Sequence, residues 1–103
     1  MTKTDSTLIE LQTAVQRFQK VCVMYAEAVI GREKASEMPN LIPTLVEWGA
    51  VSNATLELSS MALLILGSQI PPDVYDLKKI ANRFDSEASR LEEEARRLVG
   101  RRQ

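Results

Sequence analysis

Apolar residues recur in steps of three and four along most of this chain. That spacing belongs to amphipathic helices rather than to strands. Leu8, Leu11, Val15, Phe18, Cys22, Tyr25 and Val29 form an unbroken heptad seam, with Ala14, Val21 and Ala28 beside it. Thr7 and Glu10 in front of the seam fit a capping box. The first helix is expected over about 7–34. Gly31 weakens its end, and Pro39 and Pro43 bracket the loop that follows.

The segment from Thr44 to Leu66 has a different character. Between Met38 and Pro72 there is no Lys or Arg, and the acids are Glu47 and Glu57 alone. Thr44 and Glu47 suggest a second capping box and a helix over 44–66. Its best seam is Val51, Ala54, Leu58, Met61 and Ile65. Leu45, Trp48, Leu56, Leu63, Leu64 and Leu66 fall on other faces. A helix apolar nearly all round must be covered on most of its circumference, so this segment is expected to be the middle of the fold.

Gly67 and Pro71-Pro72 stop that helix, and Asp73 suits the N-cap of a third over 73–99. Val74, Leu77, Ala81, Phe84, Ala88, Leu91, Ala95 and Leu98 continue the three-four spacing, and Gly100 is expected to end it. The fold class is therefore all-α: one domain over 1–103 with three long antiparallel helices in an up-down-up bundle. Two flanking helices cover only part of the central one, so the pattern predicts completion by homodimerisation. The alternative is a monomer whose apolar groove awaits another partner.

Composition narrows the function classes. Hydrophobic residues at 45% and charged ones at 26% suit a packed globular domain rather than a disordered chain. Thirteen basic and fourteen acidic residues leave a net charge of −1, which argues against a dedicated nucleic-acid or membrane-surface binder. Cys22 is the single cysteine, so an intramolecular disulfide is impossible. The first ten residues carry no apolar run with a small-residue cleavage site, and no window has the ~20 apolar residues of a membrane span. No signal peptide or span is expected, and the cytoplasm is the default location. Asn53-Ala54-Thr55 matches a glycosylation sequon by chance, inside an expected helix.

Candidate chemistry is sparse. The chain has no histidine, the usual general base, metal ligand and pH switch. Cys22 occupies a seam position, which reads as a small buried hydrophobe rather than a nucleophile. Glu92-Glu93-Glu94 is followed by Arg96 and Arg97 rather than by another carboxylate. That pattern makes a solvated face with i,i+4 pairs, not a metal cluster. Neither cofactor nor metal is expected. Glu57 could meet Arg17 or Lys20 and line a small bundle site, the one route to a helical enzyme or ligand-binding protein. Arg96, Arg97, Arg101 and Arg102 could touch nucleic acid, but no aromatic residues interleave for base stacking.

The segment Ser60 to Pro71, SMALLILGSQIP, resembles the C-terminal helix of TraM-type antiactivators through Ile65-Leu66-Gly67 and Ile70-Pro71. These are small helical dimers that sequester quorum-sensing transcription factors. This chain adds a residue between Gly67 and Ile70 and a whole further helix. The resemblance implies inhibition by binding, without catalysis. The residue pattern leads independently to a non-enzymatic interaction module. Its partner-binding and dimer surface is expected around Trp48, Leu56, Leu63 and Leu66, with Val51, Leu58, Met61 and Ile65 along the seam.

Overall fold

A computed structural model describes the backbone from Lys3 to Arg102, and the side chains of that stretch except those of Lys3, Thr4, Val74 and Arg102. It is all-helical, with no strand among the described residues. Five α-helices follow in order: α1 Lys3–Ile30, α2 Arg32–Ser36, α3 Leu41–Glu47, α4 Asn53–Leu66 and α5 Leu77–Arg102. A 3-10 turn at Pro72–Val74 precedes α5.

The long pair α1 and α5 is the frame. Arg17 of α1 reaches Asp85 and Ser89 of α5, and Met24 lies beside Ala95 and Val99, so the two helices run parallel. Their seams are those expected from the spacing. Leu11, Val15, Phe18 and Cys22 pack with Leu77, Ala81, Phe84, Ala88 and Leu91 in one buried cluster. The Phe18 and Phe84 rings meet at 5.4 Å, tilted by 46°. Alanines at 81, 88 and 95 are buried and let the partner helix come close. Val74, expected on this seam, has a side chain outside the described residues. Val29 is 37% exposed. Near the end of α1 the buried side chains are instead the small Ala26 and Ala28.

The expected central helix is two helices. α3 stops at Glu47. Gly49 adopts φ +78, and the Ala50 amide turns back to donate to the Leu45 carbonyl at 2.9 Å. A left-handed glycine with this backward bond is a Schellman-type stop. Ser52 then caps α4, accepting from the Thr55 amide at 3.2 Å. α4 runs antiparallel to the long pair. The Ala50 carbonyl lies at Arg90, Leu58 beside Ile80 and Arg83, and Leu66 and Ile70 beside Leu8 and Gln12.

Helix ends differ elsewhere too. α1 begins at Lys3, so Thr7 sits inside it rather than capping it. Gly31, at φ +91, ends α1 and sets off the short α2. Thr44 lies inside α3 and its hydroxyl donates to the Asn40 carbonyl at 2.7 Å. Pro43 is accommodated because it falls in the first turn, where no intrahelical amide bond is lost. Asp76, not Asp73, caps α5 by accepting from the Lys79 amide at 3.2 Å. α5 also continues through Gly100 to Arg102.

Candidate interaction surface

α4 meets the long pair through Thr55, Ser59, Ala62 and Ile65, all buried. Small side chains hold this contact close, and the buried threonine of α4 has a partner. Its hydroxyl lies 3.0 Å from that of Ser52. The buried stripe is offset from the expected seam. Ala54 is exposed, and Leu58 and Met61 are half-buried against the core. The sequon residues are occupied structurally, Asn53 opening α4 and Thr55 buried at its cap.

The eight residues expected on the partner surface separate into three groups. Val51 and Ile65 are buried in the core and cannot present a face to a partner. Leu58, Met61 and Leu66 are half-buried and pack against that core. Leu56 is half-buried, while Leu63 at 51% and Trp48 at 39% are exposed. Leu64, outside the expected set, joins them at 40%. Leu56 and Leu63 are seven residues apart on α4, so they share its outer face. Scattered exposed apolar residues are ordinary, but this group lies on a segment without cations.

The residues weighed for chemistry are placed apart. Arg17 donates to the Asp85 carbonyl at 3.1 Å and to the Ser89 hydroxyl at 3.0 Å, and lies 3.6 Å from Glu92. It is committed to α5, whereas Glu57 is exposed on α4, so the pair required for a bundle site is not assembled. Lys20 is exposed as well. Cys22 is fully buried, and its thiol pKa is pushed up to about 12, first by burial and then by the negative charge of Glu87. A thiol held protonated is a poor nucleophile.

The acidic and basic residues of α5 pair along the helix. Arg96 meets Glu92 at 2.7 Å, Arg97 meets Glu93 at 2.9 Å, and Arg90 lies 3.7 Å from Glu94. The Glu92–Arg96 and Glu93–Arg97 contacts are the i,i+4 pairs expected from the sequence. Arg96 and Arg97 therefore already hold carboxylates that a phosphate would have to displace. No cluster of three metal-ligating side chains occurs among the described residues. No described helix is long and apolar enough to cross a membrane.

Comparison with protein-family models, with curated proteins and with solved structures gave no match to this chain.

Proposed function

We propose that this chain is a non-enzymatic, cytoplasmic protein–protein interaction module. It self-associates, and it inhibits a partner by taking up one of that partner's helices on the outer face of α4. The observation that carries the reading is the exposure of Trp48, Leu63 and Leu64 on a stretch with no Lys or Arg between Met38 and Pro72. An amphipathic helix laid against such a face contributes its own apolar side chains at i, i+3, i+4 and i+7. Tryptophan and leucine anchors at the centre would supply most of the affinity. An antiactivator role is the form of inhibition that the TraM-like stretch suggests. In this reading the partner's helix competes with a second copy of the chain for one surface.

Capture on the tagged full chain, paired with Leu63→Glu, tests the partner arm. A protein retained by the wild type and lost with Leu63→Glu, at unchanged helicity, supports the α4 face. Retention of that protein by Leu63→Glu contradicts it.

A further inference from the structure

The cations of α5 divide into two sets. Arg90, Arg96 and Arg97 hold carboxylates at 2.6, 2.7 and 2.9 Å. Arg83 does not. Among the described residues its ion-pair partner is Glu87 at 3.9 Å, beyond hydrogen-bond reach, and Arg90 grips that carboxylate at 2.6 Å. Lys79 makes no ion pair among the described residues.

Helix stability does not account for these two cations. Lys79 lies in the first turn of α5, where the positive end of the helix dipole disfavours a cation. Arg83 follows four residues later, and like charges at that spacing repel. Yet both line one hollow between α4 and α5, of about 380 Å³. Half-buried Leu58 and buried Ile80 give it an apolar floor, and Asn82 and Ser86 complete the wall. No acidic side chain lines it. Elsewhere the charges cancel. The hollow at Lys78 also has Glu10 and Asp85 on its wall, and the one at Arg96 has a guanidinium already held by Glu92.

We propose that the hollow between α4 and α5 binds a small amphiphile with an apolar tail and a carboxylate head. The tail lies on Leu58 and Ile80, and the head meets Lys79 and Arg83. A mostly apolar site with a few polar groups, at roughly 300–1,000 Å³, is what small ligands occupy. The Arg83 fork suits both oxygens of a planar carboxylate, and Lys79 adds a point charge one turn earlier. Asn82 and Ser86 offer further hydrogen-bond donors. Size argues against a partner helix here. From Lys79 to Ser86 is two turns of α5, about 10 Å, and the next turn is closed by the Glu87–Arg90 pair. Trp48, Leu63 and Leu64 do not line the hollow, so the inference stands or falls apart from the proposed function.

Titration of the full chain with sodium decanoate, below its micelle concentration, tests the site through the methyl resonances of Leu58 and Ile80. These should shift and saturate. Decanol should bind about tenfold more weakly, and so should decanoate to the double variant Lys79→Gln, Arg83→Gln, because two exposed ion pairs of up to about 1 kcal/mol are lost. Both side chains are exposed, so the variant should keep its helicity. Lys20→Gln, an exposed cation of α1, should bind decanoate as the wild type does. Absence of a saturable shift at Leu58 and Ile80 would overturn the site. Equal affinity for decanol, or unchanged affinity in the double variant, would overturn the carboxylate head. Shifts confined to Trp48, Leu63 and Leu64 would show adsorption on the outer face of α4 and overturn it as well.

Discussion

The Arg90 guanidinium donates to the Ala50 carbonyl at 2.7 Å, tying the middle of α5 to the turn that ends α3. Glu87 holds the same guanidinium at 2.6 Å, so the side chain reaches the turn already oriented. Forty residues of chain separate the two partners, and the contact fixes where α4 starts over the long pair. Hydrogen bonds from charged donors contribute about 1.5–3 kcal/mol when buried, and screening lowers that for a half-exposed arginine. Arg90→Ala should therefore cost about 1 kcal/mol, read as a lower urea midpoint at unchanged slope. An unchanged midpoint would mean the turn holds itself.

Gly49 makes that turn possible. Its φ of +78 favours glycine, and a Cβ there would meet nothing within 4 Å. Gly49→Ala therefore carries only the backbone penalty of the left-handed region, about 1 kcal/mol. Gly49→Asn should cost less, since asparagine visits that region more readily. Thermal unfolding of the two variants should rank them in that order, both below the wild type.

The ring pair at the centre of α1 and α5 should matter far more. Phe18 and Phe84 are both fully buried, and truncating a buried Phe to Ala costs about 3–5 kcal/mol. Against a whole-domain stability of about 5–15 kcal/mol, either change brings the fold near its limit. Circular dichroism of Phe18→Ala should show a large fall in melting temperature. Exposed Leu64→Ala should leave the melting temperature of the monomer nearly unmoved.

The buried thiol of Cys22 makes stability depend on alkaline pH. Its pKa is raised from 9.0 to about 12 in the folded chain, so below pH 9 its contribution is complete. As pH climbs from 9 toward 12 the unfolded chain gives up the proton and the folded chain keeps it. Stability then falls by up to about 1.4 kcal/mol per pH unit. Urea midpoints measured across that range should decline more steeply for the wild type than for Cys22→Ala. Parallel declines would show that the thiol does not contribute.

The long pair was legible because spacing alone decides it. Leu11, Val15, Phe18 and Cys22, and then Leu77, Ala81, Phe84, Ala88 and Leu91, keep their period with no interruption and are buried as expected. The middle was harder to read. Thr44 and Glu47 have the spacing of a capping box, yet α3 has already begun at Leu41, and the true cap lies eight residues later at Ser52. Extending one helix across 48–52 carries its phase forward at 100° per residue, whereas the turn at Gly49 resets it. Within α4 the buried stripe is Thr55, Ser59, Ala62 and Ile65, while Val51 is buried from the turn before the helix. Two signals pointed to the break: Gly49 itself, and Ser52 three residues before Thr55. The buried stripe was also disguised by chemistry, because Thr55 and Ser59 are polar and do not register in an apolar pattern. The exposure of Trp48 and Leu63 could be anticipated from excess alone, since three helices cannot cover every apolar position.

Solution mass by light scattering over a wide concentration range tests the proposed self-association most directly, with Leu63→Glu measured beside the wild type. The wild type should rise toward twice its 11.5 kDa chain mass, and Leu63→Glu should stay at one chain mass with its helicity intact. A wild type that remains at one chain mass throughout, or a Leu63→Glu variant that assembles as well as the wild type, would contradict the α4 surface.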